Sequence, residues 1–269
     1  MPLPPNFDVE QFGGDFLANR VKAYNTDDLV VKRNYNCSYR DFIKERTSGL
    51  AANAGSLAKW LNTQSAARAV WTLLRRFGMG RNSQLMRCDD AFAQSLAQLS
   101  MVAPVDAILL HNIPTDGLNV RITPEKTLSQ CLGDLFDHCS KAGKFSASGG
   151  FVIASKTLHC LFPDLVPMID GEHTGISYYN ICRRLYLPPG GDWTAYLGYE
   201  FDGIPNPSPR GGGSGGWKRD QFLCAIGMNE TIYQKWQSTN GNPGRAAFLD
   251  LDYAEGTTGV PRVVDKALW

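Results

Sequence analysis

The sequence lacks several patterns that would assign it at once to a large class of proteins. No apolar run approaches the length of a membrane-spanning helix, and the opening MPLPPNFDVE has no basic-then-apolar signal sequence. No Gly-Lys-Ser/Thr closes a phosphate-binding loop. The seven cysteines and four histidines form no Cys-x-x-Cys pair and no metal-ligand spacing. We therefore expect a soluble, cytoplasmic protein with reduced cysteines, no metal and no organic cofactor.

Acidic residues are absent from two long windows. From Arg46 to Arg87 there is no Asp or Glu, and from His138 to Pro163 there is again none. The net charge of the whole chain is only +1, so opposite charges are segregated along it. A segregated basic surface suits a nucleic-acid backbone, although ordinary solvated helix faces give the same pattern. The basic residues of the first window are Arg46, Lys59, Arg68, Arg75, Arg76, Arg81 and Arg87.

The apolar residues follow a mainly helical period. In the first 162 residues the segments with this spacing are 56–77, 89–101, 124–142 and 151–162. We expect a break near Asn62 in the first of them. Thr123 and Pro124 are suited to begin the third helix, and Gly143 is suited to end it.

Strand signals are few, and the later part of the chain changes composition sharply. Short strands are candidates at 28–32 and 119–122, where an extended loop is the alternative. The stretch 188–217 is rich in Gly, Pro and Ser, which predicts a flexible loop. Helical patterns resume afterwards over 218–226, 230–237 and 245–253, and the last stretch of the sequence is 261–269.

These patterns divide the 269 residues into four parts. The first is an N-terminal helical region with a basic face that partly joins a second lobe, and the second is a helical core. A flexible loop and a set of C-terminal helices that complete the fold follow. The four parts are 1–122, 123–187, 188–217 and 218–269.

The most informative stretch runs from Lys141 to Tyr179. Ser148–Gly150 is a turn signal because paired glycines tolerate positive φ angles. A helical pattern follows, Pro163 ends it, and Asp170 precedes a further helical pattern. From the local sequence alone, Asp170 is either the N-cap of that helix or a functional carboxylate.

This order of hairpin, helix, loop, aspartate and helix resembles the helix-hairpin-helix DNA glycosylase superfamily. In that family the catalytic Asp follows the last hairpin glycine by twenty residues, which is the spacing from Gly150 to Asp170. The resemblance covers roughly Thr123 to Leu187. It implies a mostly α, two-lobed, helix-hairpin-helix glycosylase-like fold with few short strands. Ser148 departs from the family's glycine at the first hairpin position, and the iron–sulfur cysteines of some members are absent.

The resemblance also implies roles for individual residues. Asp170 is the expected catalytic carboxylate, which stabilises positive charge on the sugar as a flipped base departs. Val152 stands where lyase-competent members carry lysine, and this implies monofunctional chemistry that leaves an abasic site. The expected contacts with double-stranded DNA are Ser148, Gly149, Gly150, Lys144 and Lys156.

Candidates for the base pocket rest on their position in the chain. His173 and Tyr178 lie one to two helical turns past Asp170. A polar and aromatic run near the start of the chain is expected to close the base pocket from the other side of the cleft between the two lobes. Its members are Arg20, Lys22 and Tyr24. A packing or capping role is the alternative for each of these side chains.

The segment from Ser155 to Asp170 is similar to an outlying branch of the superfamily that is linked with hypermodified pyrimidines of phage DNA. We therefore expect a monomeric phage-defence glycosylase that excises a base such as glucosylated hydroxymethylcytosine. Three alternatives remain open. They are a repair glycosylase for damaged bases, a non-catalytic DNA-binding module, and a transferase that makes a modified base at the nucleotide level.

Overall fold

The protein is described by a computed structural model, and its secondary structure is helical almost throughout. The structure describes residues 9–13, 15–79, 85–113, 117–170, 174, 177–178, 219–252 and 259–269. Extended pairing within these ranges is limited to two isolated antiparallel bridges, Leu85–Ser146 and Arg121–Thr127. The expectation of a mostly α fold is confirmed.

The first half of the chain is a series of helices. After a short 3-10 turn at Val9–Phe12 come α1 (Phe16–Thr26), α2 (Asp28–Arg33), α3 (Tyr35–Ala52), α4 (Leu57–Leu61), α5 (Gln64–Leu74), α6 (Asp90–Ala97), α7 (Leu99–Val102) and α8 (Val105–Ile108). A wide turn at Arg75–Met79 follows α5. The second half contains α9 (Leu128–Cys139), α10 (Phe151–Leu161), α11 (Arg219–Thr239), α12 (Arg245–Leu249) and α13 (Val260–Leu268).

The break expected near Asn62 is present, and two hydroxyl caps explain it. The Ser56 side chain accepts a hydrogen bond from the Lys59 backbone N–H at the start of α4. The Thr63 side chain accepts one from the Ala66 N–H at the start of α5. Because each cap satisfies a donor that the first turn of a helix leaves unpaired, two short helices form here instead of one long helix.

The strand candidate at 28–32 is wrong, because these residues form helix α2. The Asp27 carboxylate accepts hydrogen bonds from the backbone N–H groups of Leu29 and Val30. This N-cap outweighs the strand preference of the three apolar residues. The candidate at 119–122 is extended only where Arg121 pairs with Thr127.

Helix α9 begins later than the sequence pattern predicts. Its N-cap is Thr127, whose side chain and Gln130 form a reciprocal capping box. Thr123 instead accepts a hydrogen bond from the Lys126 N–H within the preceding turn. The difference follows from the residue three positions on, since Gln130 can close a capping box and Lys126 cannot.

The two helices expected at 218–226 and 230–237 form one helix, α11, which has 21 residues. Gly227 does not interrupt it, and the neighbouring Met228 and Asn229 are buried. Tertiary packing therefore outweighs the weak helix propensity of a single glycine. Across the described ranges, no helix combines the length and apolar character needed to cross a membrane.

Two helices, α10 and α13, lie at the centre of the core. Nearly every residue of α10 and every residue of α13 is buried. Helix α13 packs against α1, α11 and α12, and α10 packs against α9 and α5. One continuous apolar cluster runs from Phe12 to Leu268, so parts of the chain that are far apart in sequence share a single core.

Candidate active site

The glycine turn is fastened to the end of α9. Gly149 and Gly150 both have positive φ angles, +67° and +113°. The Gly150 N–H donates to the Ser140 carbonyl at 2.8 Å. A Cβ atom on Gly149 would collide with that same carbonyl oxygen. The close backbone approach therefore requires glycine at position 149.

The tip of the turn faces solvent. Ser148 and Gly150 are exposed, and Gly150 is the N-cap of α10 without a side chain to cap it. The positive end of the α10 dipole thus lies at an exposed backbone turn, an arrangement that suits an anion. Lys144, before the turn, is half-buried, and its ammonium donates to the Gln98 side chain at 2.8 Å.

A short antiparallel pairing joins the end of the first acid-free window to residues 144–146, which precede the glycine turn. Leu85 pairs with Ser146, and the Met86 N–H donates to the Phe145 carbonyl at 3.1 Å. Arg87, the next residue, is exposed. The end of the acid-free window therefore lies beside the turn that precedes α10.

Further arginines are tied to the same segment by Trp71 on α5. The Trp71 indole N–H donates to the Met86 carbonyl at 2.8 Å, and the Arg75 guanidinium lies 5.2 Å from the centre of a Trp71 ring. Arg68, Arg75 and Arg76 are all exposed. Several arginines of the basic sequence window are therefore exposed, and Trp71 links Arg75 to the segment that pairs with residues 145 and 146.

Two basic residues of the acid-free windows are buried instead. Arg46 is 8% exposed and donates to the Leu161 carbonyl at the end of α10, at 2.7 Å. Lys156 is 7% exposed, and its ammonium donates to the Phe77 carbonyl at 2.9 Å. The expected contact between Lys156 and a DNA phosphate does not fit this burial.

The Asp170 segment returns along α10 towards the glycine turn. The Ser155 hydroxyl donates to the Ile169 carbonyl at 3.1 Å. Ser155 is five residues past Gly150, which is about 7.5 Å along a helix axis. Asp170 itself is half-buried, and its backbone N–H donates to the Thr174 hydroxyl at 2.9 Å. The residue before Asp170 is therefore held beside the half of α10 that begins at the turn.

Asp170 shares its surroundings with other ionisable groups. Burial lowers the pKa of Lys156, and the negative charges of Asp170 and Asp265 oppose that shift. Burial raises the pKa of Asp265 to about 7, and Asp170 adds to the increase. Burial also raises the pKa of Tyr35, again with a contribution from Asp170. Clustered groups with perturbed pKa values are a frequent property of functional sites.

Behind Asp170 lies a buried hydrogen-bond network. The Asp265 carboxylate accepts from the Met168 N–H at 2.6 Å and from the Tyr178 hydroxyl at 3.1 Å. The Asn229 amide donates to the Tyr178 hydroxyl at 2.7 Å. Tyr178 is only 1% exposed. Its ring is part of the core, which does not fit its expected place in a base pocket.

The other base-pocket candidates do not share one open surface. Arg20 donates to a backbone carbonyl of α13 at 2.7 Å. Tyr24 is buried with its ring against the Arg262 guanidinium, whereas Lys22 is exposed to solvent. His173 lies outside the described residues. Arg20 and Tyr24 thus pack against the last helix rather than around a cavity for a base.

Sequence reasoning missed the charged residues of α13. Arg262, Asp265 and Lys266 are all buried, and Lys266 forms an ion pair with Asp252 at 2.6 Å. The spacing of these charges along VPRVVDKAL is that of the wet face of an amphipathic helix. That pattern predicts exposure, and only the packing of distant elements reverses it. The Arg262 guanidinium lies over three aromatic rings, those of Tyr24, Tyr39 and Phe77.

The buried histidine and cysteine side chains of α10 have packing environments. His159 lies between the Val166 carbonyl, 2.6 Å from Nδ1, and the Tyr39 hydroxyl, 2.9 Å from Nε2. Burial lowers the pKa of His159 to about 3 and raises the pKa of Cys160 to about 12. Among the residues that the structure describes, no group of His, Cys, Asp and Glu is arranged to hold a metal ion.

Comparisons with known proteins do not assign this chain to a family. Neither family models, nor curated proteins, nor solved structures gave a match. The features that bear on function are the geometry around Asp170 and the exposed arginines that follow Trp71.

Proposed function

We propose that this chain is a monofunctional DNA glycosylase in which Asp170 is the catalytic carboxylate. The observation that carries the proposal is the Ser155–Ile169 hydrogen bond, which holds the residue before Asp170 beside the half of α10 that begins at the exposed glycine turn. A sugar and its flanking phosphates belong to the same strand, so a carboxylate close to a phosphate-binding turn is suitably placed to act on the sugar.

The proposed reaction breaks the bond between C1′ of the sugar and the nitrogen of the base. As the base departs with the bonding electrons, positive charge develops on the sugar, and the Asp170 carboxylate stabilises it. The carboxylate orients a water molecule, whose oxygen bonds to C1′ while Asp170 accepts its proton. The departed base takes up a proton from water and Asp170 releases its proton to water, which leaves a neutral free base, an abasic site and an ionised Asp170.

The immediate surroundings of Asp170 support a reaction without a covalent lysine intermediate. Val152, in the first turn of α10, has no nucleophilic group. The nearest lysine on that helix, Lys156, is buried, and its ammonium is held by the Phe77 carbonyl. Attack by this amine would first have to break that hydrogen bond and lose a proton.

The proposed partner is double-stranded DNA, bound by a cytoplasmic monomer. The exposed turn at Ser148–Gly150 lies at the positive end of the α10 dipole, although the Gly150 N–H itself donates to the Ser140 carbonyl. Arg87 and the arginines that follow Trp71 extend this surface with guanidinium groups that suit phosphates. The acid-free composition of both windows avoids repulsion between carboxylates and the DNA backbone.

For the substrate we propose a hypermodified pyrimidine such as glucosylated hydroxymethylcytosine in phage DNA. The support is the similarity of the Ser155–Asp170 segment to the branch linked with such bases. A base of this kind is foreign to host DNA, so its excision would damage phage DNA selectively.

A base-release assay tests the proposal. The purified protein is incubated with unmodified DNA, with deaminated or alkylated DNA, and with phage DNA that carries glucosylated hydroxymethylcytosine, and alkali then cuts any abasic sites. The test variant is Asp170→Asn. The matched control is Asp164→Asn. Asp164 lies in the same loop as Asp170, and its carboxylate pairs with Arg245 at 2.7 Å.

We expect alkali-dependent breaks only in the phage DNA, lost in Asp170→Asn and retained in Asp164→Asn. Breaks confined to deaminated or alkylated DNA would replace the phage substrate with a repair substrate. Full activity of Asp170→Asn would remove the catalytic assignment.

One observation favours a second function, a non-catalytic DNA-binding module. The Asp170 N–H donates to the Thr174 hydroxyl, a local bond of the kind found where helices begin. If Asp170 serves only that purpose, the protein should bind DNA tightly without releasing a base from any of the substrates. Asp170→Asn should then leave DNA affinity unchanged.

A further inference from the structure

The two oxygens of one buried carboxylate bind the chain on both sides of Asp170. Asp265 Oδ2 accepts from the backbone N–H of Met168, two residues before Asp170, at 2.6 Å. Asp265 Oδ1 accepts from the hydroxyl of Tyr178, eight residues after Asp170, at 3.1 Å. Asp265 belongs to α13 and is only 2% exposed. A residue far away in sequence thus clamps the segment that contains the candidate catalytic group.

We propose that Asp265 is a positioning residue, which fixes the Asp170 carboxylate by holding the backbone before it and the side chain of Tyr178 after it. The proposal rests on the function proposed for Asp170. It assigns Asp265 no contact with DNA and no part in the chemical step.

The clamp has a rigid base. Helix α13 is buried along its whole length and packs against α1, α11 and α12. A second bond links this helix to the same segment, since the Ser177 hydroxyl donates to the Leu268 carbonyl at 2.6 Å. The Asn229 amide of α11 also holds the Tyr178 hydroxyl from another side, at 2.7 Å. These contacts keep the donors and the acceptor in register.

The opposite side of the segment is held by α10. The Ser155 hydroxyl donates to the Ile169 carbonyl, one residue before Asp170. Met168 and Ile169 are thus fixed by two different helices, through an N–H group and a carbonyl group respectively. Because the Met168 N–H and the Ile169 carbonyl are both hydrogen-bonded, the backbone that leads into Asp170 has little freedom to rotate.

A carboxylate at position 265 is costly to bury, but it provides two acceptor oxygens for two hydrogen-bond donors. Removing an ionised group from water is unfavourable unless hydrogen bonds or opposite charges compensate. An apolar side chain would avoid this cost but would leave the Met168 N–H without its acceptor. An amide has only one acceptor oxygen, whereas two donors converge here. Asp265 is therefore suited to join the two flanks of Asp170.

The test uses a graded set of variants in the full chain. Asp265→Ala removes both bonds, Asp265→Asn retains one acceptor oxygen, and Tyr178→Phe removes only the hydroxyl bond. The matched control is Asp252→Asn. Asp252 is an equally buried carboxylate that pairs with Lys266 of the same helix, and its other hydrogen bond is with Asn25.

Two readouts separate positioning from general destabilisation. The first is hydrogen–deuterium exchange of the peptide that covers 165–178, without DNA. We expect exchange in Asp265→Ala to be faster by on the order of tenfold to a hundredfold, because a buried hydrogen bond is lost. Asp265→Asn and Tyr178→Phe should show smaller increases. Asp252→Asn should leave the exchange rate of this peptide unchanged, even if this variant loses as much in melting temperature as Asp265→Ala.

The second readout is the single-turnover rate of base excision, with DNA affinity measured separately. Misplacement of the carboxylate should lower the excision rate of Asp265→Ala by about a hundredfold at unchanged DNA affinity. If Asp265→Ala does not fold, Tyr178→Phe gives the deciding comparison, with a smaller loss expected. The proposal would be overturned if the variants at Asp265 and Tyr178 showed the same exchange of peptide 165–178 and the same excision rate as Asp252→Asn.

The two proposals fail in different ways. A wild-type protein that releases no base from any DNA contradicts the glycosylase function, and with it a role for Asp265 in catalysis. The exchange measurement then still decides whether Asp265 fixes the segment. Normal excision by the wild type together with unaltered excision by the Asp265 and Tyr178 variants contradicts only the positioning role.

Discussion

Leu85 pairs with Ser146 in an isolated antiparallel bridge, and this contact joins the end of the arginine-rich window to the turn before α10. The two residues are about sixty positions apart, so neither helical pattern nor charge pattern announces their contact. Because the pairing is antiparallel, Arg87 lies level with Lys144, before the glycine turn. The exposed arginines and the turn together are the candidate DNA-binding face.

Removing two arginines from this face should weaken DNA binding in a salt-dependent manner. For the double variant Arg76→Ala/Arg87→Ala, we expect the slope of log affinity against log salt concentration to fall by about 2, at about 0.9 per lost phosphate contact. A suitable control is Lys126→Ala. Lys126 lies just before the N-terminus of α9, whereas the glycine turn adjoins the C-terminus of that helix. The Lys126 ammonium pairs with Asp134 at 2.7 Å. A salt slope equal to that of the wild type would show that DNA binds elsewhere.

Two glycines separate the effect of backbone angle from that of close approach. Gly143 and Gly149 have similar φ angles, +78° and +67°, but only a Cβ on Gly149 would meet the Ser140 carbonyl. We expect Gly143→Ala to lower the free energy of unfolding by about 1 kcal/mol. Gly149→Ala should lower it by a further ~1–3 kcal/mol, because the backbone must shift. Urea denaturation measures both, and equal losses would contradict the steric argument.

A monofunctional enzyme should form no covalent bond with an abasic site. We expect no protein–DNA adduct when the wild type is incubated with abasic DNA and borohydride, because Val152 has no amine and the Lys156 ammonium is held by the Phe77 carbonyl. Val152→Lys places an amine in the first turn of α10 and serves as the positive control. An adduct with the wild type that disappears in Lys156→Met would instead identify Lys156 as a nucleophile.

Two buried groups should give stability opposite dependences on pH. The folded-state pKa of Asp265 is raised from 3.8 to about 7 by burial, so its stabilising contribution is present below pH 4 and is lost as pH rises through 7. The pKa of His159 is lowered from 6.5 to about 3 by burial. Its contribution is therefore present above pH 6.5 and is lost as pH falls towards 3.

The variants Asp265→Asn and His159→Asn separate these two contributions. Between pH 4 and 6.5, the free energy of unfolding of Asp265→Asn should rise more steeply with pH than that of the wild type. The curve of His159→Asn should rise less steeply. Each slope should differ from that of the wild type by up to about 1.4 kcal/mol per pH unit, the value for one proton. Curves parallel to the wild type would show that neither group titrates in this range.

The helices that lie close to the site could be predicted from local pattern. The apolar spacing of α5 and α10 indicates their positions, and the break expected near Asn62 falls where Thr63 caps α5. These signals are local, since a helix and its cap depend on residues within about four positions. The same locality explains the error at Thr123, where the capping box one turn later was overlooked.

The burial of charged residues could not be predicted in this way. Lys156 and Arg46 stand in basic windows, which indicate a wet surface. Each instead donates to a backbone carbonyl far away in sequence, that of Phe77 and that of Leu161. A charge pattern carries no information about such partners, because they are brought together only by tertiary packing. For the same reason Asp265 gave no signal as a partner of Met168.

The central position of α13 has a consequence for the timing of synthesis. Asp265 leaves the ribosome about 95 residues after Asp170, and translation at ~5–20 residues per second makes the delay roughly 5–20 s. During this interval the nascent chain already contains Asp170 and the glycine turn, but Met168 has no carboxylate to bind. The segment before Asp170 therefore acquires its fixed backbone only when α13 has been made and packed.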